Sequence, residues 1–166
     1  MDSSWERFEA LYRASRDDVY AYVATLLRDA AAAEDVTALA FERAYRRRRT
    51  FDRRRGNERA WLFGIARNAA LDELRRRRRH ATLAADPADE RSDVADDATD
   101  AALARTTVRA ALQTLDARER ELVALKFHAG LSNAEIAKLI GVSESNAGTL
   151  LHRTMTKLRK ACHAPS

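Results

Sequence analysis

Apolar residues recur at spacings of three and four along most of the chain, and this spacing places them on one face of an α-helix. The first half predicts a small bundle of four helices. They begin near Ser3, Asp17, Ala32 and Arg59, and the last one runs toward Arg79. The chain has only five Gly and two Pro residues, and both disfavour helix interiors. The pattern therefore predicts an all-α protein.

The second half predicts four further helices, over 101–114, 117–129, 133–140 and 143–161. Each of the last three follows a residue that suits a helix N-cap, because a short polar side chain there accepts a backbone hydrogen bond. In two cases a glutamate three residues later completes a capping box. These signals are Asp116 with Glu119, Ser132 with Glu135, Gly141 as a helix end, and Ser143.

The segment 133–140 is too short to be a stable helix alone in water, so it must pack against its neighbours. Small Ala137 permits close approach of the next helix, and Gly141 makes the turn, as in a helix-turn-helix. The second helix of such a unit meets base edges in the major groove of DNA. The residues predicted to contact bases or phosphates are Ser143, Glu144, Ser145, Asn146, Thr149, His152, Arg153 and Lys157. The alternative is a tight helical hairpin that has no role in DNA binding.

Charge divides the chain into three blocks. Residues 1–80 carry 19 Lys/Arg against 13 Asp/Glu (net +6), residues 81–100 carry one against seven (−6), and residues 101–166 carry ten against five (+5). Basic surfaces favour a polyanionic partner such as nucleic acid, although an acidic lipid surface would also account for the charge. The acidic block has little apolar periodicity and predicts a flexible linker between two helical domains, with a solvated acidic helix as the alternative.

Several classes of protein are not expected. No apolar run approaches the length of a membrane span, and the N-terminus lacks a signal-peptide pattern, so we expect a cytoplasmic protein without membrane insertion. Cys162 has no second thiol for a disulfide, and a zinc site is not expected despite His152 and His163. The common catalytic and nucleotide-binding motifs are missing, so neither enzymatic activity nor a cofactor or metal is expected.

Two ordered segments carry a resemblance to a known family. AEDVTALAFERAYRRRRTFDRRRGNERAWLFGIARNAALDELRRRRR and ALQTLDARERELVALKFHAGLSNAEIAKLIGVSESNAGTLLHRTMTKLR resemble the bacterial extracytoplasmic-function (ECF) sigma factors. The resemblance covers nearly the whole chain outside the acidic segment and the tails. It implies that domain 1–80 binds RNA polymerase core and opens the −10 promoter element, whereas domain 101–166 reads the −35 element. It also implies promoter DNA and an anti-sigma factor as partners, and one copy of the chain in the holoenzyme.

The resemblance also implies roles for individual residues. Those implied in −10 binding are Asn57, Arg59, Trp61, Arg67, Asn68, Asp72, Arg75 and Arg76, and those implied in polymerase binding are Asp35, Val36, Leu39 and Arg43. Strand opening takes a base out of the stack, which a pocket, stacking surfaces and a basic track can offset. Trp61 also has the spacing of a core residue, and the run Arg75 to Arg79 alternatively forms a solvated helix end.

The sequence departs from the family pattern in two places. Thr37, Ala38 and Leu39 stand where the family usually has a glutamine and an acidic residue, and Gly148 and Leu150 replace residues that are often basic. Two alternatives to a sigma factor remain from the residues alone. They are a free-standing helix-turn-helix regulator and a helical adaptor that binds only protein.

Overall fold

The computed structural model describes residues 3–83 and 100–163, and the chain divides into two compact units, Met1–Ser92 and Asp93–Ser166. The first unit contains α1 (Ser3–Leu27), α2 (Ala30–Arg46), a 3-10 turn (Arg53–Arg55) and α3 (Glu58–Leu83). The second contains α4 (Asp100–Gln113), α5 (Ala117–Phe127), α6 (Asn133–Ile140) and α7 (Glu144–His163). All regular structure in the described residues is helical, which confirms the predicted all-α class.

The predicted helix start at Asp17 is wrong, because α1 is one continuous helix of 25 residues. No Gly or Pro interrupts it, and either would be needed to stop a helix of this composition. Ser15, in the polar stretch before Asp17, is only 1% exposed and accepts a hydrogen bond from Arg59. The polar stretch therefore faces a neighbouring helix and does not mark a turn.

The core of the first unit forms where α1, α2 and α3 pack against one another. Tyr22 of α1 and Phe63 of α3 are fully buried, with ring centroids 5.6 Å apart in an edge-on arrangement. Phe8 of α1 contacts Phe41 and Tyr45 of α2 at centroid distances of 6.5 and 5.2 Å. Burying each large apolar side chain contributes about 1.5–3 kcal/mol, so these rings are a main source of the bundle's stability.

In the second unit α7 packs against α4, α5 and α6. Both predicted capping boxes are present, at Asp116 with Glu119 and at Ser132 with Glu135. The predicted span of α6 is also confirmed. Gly141 ends this helix in the left-handed conformation at φ 77°, which glycine adopts without the steric cost a side chain brings. The predicted helix-turn-helix therefore forms.

The predicted linker, 81–100, lies mostly outside the described residues. Of its members, residues 81–83 extend α3 to Leu83, and Asp100 begins α4. No helix in the described ranges has both the length and the apolar character needed to cross a membrane.

Candidate nucleic-acid interface

The chain entering α3 is shaped by Gly56 and Asn57. Gly56 has a φ of 151°, in a region that is accessible essentially to glycine only. Asn57 follows, and its side-chain oxygen accepts a hydrogen bond from the backbone N–H of Ala60 at 2.6 Å. This oxygen satisfies one of the free N–H groups in the first turn of α3. Asn57, predicted to bind DNA, thus has a demonstrable role in starting the helix.

Arg59 ties α3 to α1. Its guanidinium donates to the carboxylate of Asp18 at 2.6 Å and to the hydroxyl of Ser15 at 3.4 Å. The same group lies 5.2 Å from the ring centroid of Phe63, within the range of a cation–π contact. With these contacts Arg59 serves the bundle, and a DNA phosphate would have to displace Asp18 to engage it.

Trp61 lies between the two interpretations that the sequence left open. It is half-buried, and its ring packs against Phe51 at a centroid distance of 5.4 Å. Phe51 belongs to the segment between α2 and α3, so the pair fixes this segment against α3. The accessible part of the indole is still available to a base.

Further along α3, Asp72 joins two arginines from different helices. One carboxylate oxygen accepts from Arg43 of α2 at 3.4 Å, and the other accepts from Arg75 of α3 at 3.1 Å. Arg75 and Asp72 are both exposed, as is Asn68 one turn before, whereas Arg67 is half-buried. The structure thus brings Arg43, predicted to bind polymerase, next to residues predicted to bind DNA.

Arg76 forms a two-point contact with Glu73, through Nε at 2.9 Å and Nη2 at 2.8 Å. The hydrogen bonds from Arg76 lower the pKa of the Glu73 carboxyl below its ordinary value of 4.5, with a smaller contribution from Arg77. The same pair raises the pKa of Arg76 above its ordinary value. Both arginines therefore keep Glu73 ionised, and Arg76 remains a cation.

Arg77 is the arginine of the run 75–79 whose role the sequence did not distinguish. Its guanidinium donates to the carbonyl of Leu27 at 3.1 Å, to Asp29 at 3.0 Å and to Glu73 at 3.3 Å. Leu27 ends α1 and Asp29 caps α2. Between them, Arg28 has a φ of 54°, a left-handed conformation that costs a non-glycine residue about 1–2 kcal/mol. Arg77 therefore stabilises the turn between α1 and α2.

A signal for this role was present in the sequence. Arg77 stands four residues after Glu73, the spacing at which two side chains meet on one helix face. The contact with the α1–α2 turn, however, joins residues 48 and 50 positions apart, and no local pattern predicts it.

In the second unit, the predicted DNA-binding residues share one side of α7. Those eight residues are all exposed: Ser143, Glu144, Ser145, Asn146, Thr149, His152, Arg153 and Lys157. The buried residues of the same helix are Ala147, Leu151 and Thr154. α7 is therefore held in place by one side while the opposite side is open to a ligand.

Two members of this set make contacts that limit their freedom. Ser143 caps α7 by accepting a hydrogen bond from the backbone N–H of Asn146 at 3.1 Å. Lys157 Nζ lies 3.0 Å from an oxygen of Glu119, the glutamate of the α5 capping box. Lys157 therefore joins α7 to the start of α5, and it must leave this ion pair to reach a phosphate.

Gly148 lies among these residues without a packing requirement. A Cβ at this position would meet Asn133 Nδ2 at 3.6 Å, an ordinary van der Waals distance. Alanine would fit there, and glycine costs the helix about 1 kcal/mol relative to alanine.

The residues predicted to bind polymerase lie on α2, with one correction. Asp35 is exposed and Leu39 and Arg43 are half-buried, but Val36 is only 5% exposed. Val36 packs inside the bundle, so its side chain does not form part of a docking surface. The position carried over from the family is a core position here.

Metal chemistry gains no support from the geometry. Within residues 3–83 and 100–163, no three His, Cys, Asp or Glu side chains are grouped so that they could hold a metal ion. Cys162 is a free thiol near the end of α7.

A helical bundle with an arginine-lined helix, together with an open-faced helix-turn-helix, defines a DNA-binding transcription protein. Two family descriptions match the chain: Sigma-70 region 2 at residues 11–80 and Sigma-70 region 4 at residues 105–158. The ECF RNA polymerase sigma factor SigL of Mycobacterium tuberculosis is 33% identical over 155 residues, which cover 90% of this chain and 88% of that protein. The chain belongs to the ECF sigma factors, which direct RNA polymerase to promoters.

Other proteins agree with this assignment. BldN of Streptomyces coelicolor, also an ECF sigma factor, is 31% identical over 93% of this chain and 60% of its own length. The solved structure of CnrH, in complex with the cytosolic domain of CnrY, has a TM-score of 0.67 at 26% identity and covers 98% of this chain and 91% of its own. Sigma factor RpoE from Bartonella quintana, in complex with the anti-sigma factor NepR, shares the fold with a TM-score of 0.81 at 21% identity, covering 97% and 99%.

These findings also bear on the alternatives. A free-standing regulator is not favoured, because regions 2 and 4 of the sigma-70 family match in order along one chain. The resemblance inferred from the two sequence segments is confirmed.

Proposed function

We propose that this sigma factor uses two separate surfaces on promoter DNA, one in each unit. The α3 side of domain 1–80 engages the −10 element, α7 of domain 101–166 reads the −35 duplex, and the acidic segment 81–100 links them. One observation carries the proposal: the eight predicted residues of α7 and its cap are all exposed, while Ala147 and Leu151 hold the helix from behind. This exposure is what a helix needs to enter a major groove about 12 Å wide.

At the −35 element, the first turns of α7 would contact base edges through short polar side chains. Asn146 is the strongest candidate, because an asparagine amide can pair with both the donor and the acceptor edge of adenine. Ser145 and Thr149 lie beside it on the exposed side. His152, Arg153 and Lys157 follow further along the helix, where phosphate contacts would position it.

At the −10 element, Arg75 and Arg76 would exchange their carboxylate partners for DNA phosphates. Such exchange is energetically feasible, since exposed ion pairs contribute only about 0–1 kcal/mol. Asn68 and the accessible part of Trp61 would then contact the separated strand, while Asn57 and Arg59 hold the start of α3. Arg67 and Asp72 would act beside them, with Asp72 orienting Arg75.

Polymerase core would bind along α2. Asp35, Leu39 and Arg43 would form the contact, and buried Val36 would support the helix from inside. Arg43 is shared with Asp72, so docking at α2 would be felt at α3. The alanine and leucine at positions 38 and 39 make this surface less polar than the family pattern.

We further propose a cytoplasmic protein that acts as one copy in the holoenzyme, has no enzymatic activity of its own, and needs neither cofactor nor metal. An anti-sigma factor is the proposed inhibitor. Support comes from CnrH, which was solved with the cytosolic domain of CnrY. Such a partner would cover the surfaces that bind polymerase or DNA.

Run-off transcription tests the proposal directly. RNA polymerase core is incubated with fragments of the source genome, with and without the full chain, and we expect new transcripts only when the chain is present. Lack of stimulation on every fragment would reject the proposal. Gel shifts with duplex DNA form the second arm: tight specific binding by the chain without core would instead indicate a free-standing regulator.

A further inference from the structure

Gly148 leaves a gap on α7, and the side chain of Asn133 from α6 borders it. A Cβ built at Gly148 would come within 4 Å of Asn133 Nδ2 alone, at 3.6 Å, among the described atoms beyond its own stretch of helix. No neighbouring atom therefore requires a glycine, although glycine weakens a helix interior. The gap instead gives the amide of Asn133 access to the space beside α7.

The orientation of that amide is fixed by Lys126 of α5. Lys126 Nζ lies 3.2 Å from Asn133 Oδ1 and 3.4 Å from the carbonyl oxygen of Leu131. An ammonium group only donates hydrogen bonds, so the oxygen of Asn133 must face Lys126. The amide nitrogen is consequently turned toward Gly148, where it can donate to a ligand.

The charge pattern of α7 explains why a donor is useful there. From Ser143 to Leu150 the chain holds one glutamate and no Lys or Arg. The first cations along α7 come later, from Arg153 onward. Phosphates near the start of α7 must therefore be held by another element, and in a helix-turn-helix the first helix crosses the DNA backbone.

We propose that Asn133 donates through Nδ2 to a phosphate oxygen of the −35 duplex, reached past Gly148, and that Lys126 is the positioning residue that sets the amide. The contact would anchor the helix-turn-helix on DNA without reading sequence, as phosphate contacts do. This inference rests on the proposed reading of the −35 element by α7.

Asn133→Asp is the sharpest test. The aspartate retains an oxygen for Lys126, and a negative charge in the first turn of a helix is compatible with folding. It replaces the donor with an anionic oxygen facing the phosphate. For the holoenzyme on a duplex library randomised over the −35 element, we expect about tenfold weaker binding, the loss of one hydrogen bond to a charged group. The preferred base at each position should stay unchanged.

Three further variants separate positioning from general charge. Lys126→Met should weaken binding by releasing the amide, whereas Lys126→Arg, which also only donates, should preserve most of it. Lys138→Met is the matched control, since Lys138 is an exposed lysine of α6 and is not bonded to Asn133 in the described structure. Asn133→Ala combined with Gly148→Lys should recover binding, because the new cation would reach the same phosphate.

Each outcome bears on a different part of the inference. If Asn133→Asp folds and binds like the wild type, while the wild-type holoenzyme does select a −35 sequence, Asn133 is not a DNA contact and only this inference is overturned. A changed base preference would overturn the assignment to a phosphate. If the wild-type holoenzyme selects no sequence at all, the proposed function of α7 fails, and this inference fails with it.

Discussion

The two candidate DNA surfaces of this sigma factor are built in opposite ways. Along α3, many of the charged side chains already have partners within the protein: Arg75 with Asp72, Arg76 with Glu73, and Arg77 with Asp29. Along the start of α7 the side chains are short, polar and exposed, and arginine and lysine are missing from Ser143 to Leu150. One surface is rich in charge but internally paired, whereas the other is open but nearly uncharged.

This contrast matches two different tasks. Strand separation needs a track of cations along a phosphate backbone, and internal pairing keeps those cations ordered before DNA arrives. Sequence recognition in intact duplex needs small polar groups that fit the groove and meet base edges. Residue count alone therefore misleads, because one of the five consecutive arginines, Arg77, stabilises a turn far away in sequence.

Loss of Arg77 should have the largest effect. Arg77→Ala would leave Asp29 and the Leu27 carbonyl without the guanidinium, which should lower the free energy of unfolding by about 1–3 kcal/mol. Chemical denaturation followed by circular dichroism measures this. Arg78→Ala, at the neighbouring exposed position, should stay within about 0.5 kcal/mol of the wild type. Equal effects of the two variants would show that the turn does not depend on Arg77.

On the α7 surface, Asn146→Ala should change base preference and leave stability nearly untouched. A lost base contact should cost about 1–3 kcal/mol at one position of the −35 element. Holoenzyme binding to promoter variants that differ at single −35 positions provides the measurement. A uniform loss across all variants would contradict a base contact and indicate a phosphate contact.

On the α3 surface, Arg75→Ala and Arg76→Ala should weaken open-complex formation and flatten its salt dependence. Each lost phosphate contact should reduce the slope of log affinity against log salt by about 1. Open complexes are counted across a salt series with the holoenzyme. If the slope stays at the wild-type value, these arginines serve only their carboxylate partners.

The smallest expected effect is a pH dependence that originates at Glu73. Its pKa is lowered in the folded protein, so its contribution to stability is present above the ordinary glutamate pKa and is lost as the pH falls through the lowered value. Unfolding measured through the acid range should show wild type and Glu73→Gln converging as the pH falls below 4.5. Parallel curves would show that the ion pairs add no stability.

Local signals in the sequence predicted much of the second unit. The capping boxes at Ser132 and Asp116, the turn at Gly141 and the cap at Ser143 each depend on residues at most a few positions apart. Local hydrogen bonds of this kind follow from short motifs. The same reasoning failed for α1, where a polar stretch near Asp17 indicated a break that packing against Arg59 does not require.

The sequence by itself determined the helical class, the helix-turn-helix and the separation of two basic blocks, because periodicity, capping and charge are local properties. Only the tertiary structure decided which arginines of α3 hold the bundle together, that Val36 is a core residue, and that Asn133 meets Gly148. Those results depend on contacts between residues far apart in the chain. Such contacts form only when whole helices pack, and no short stretch of sequence contains them.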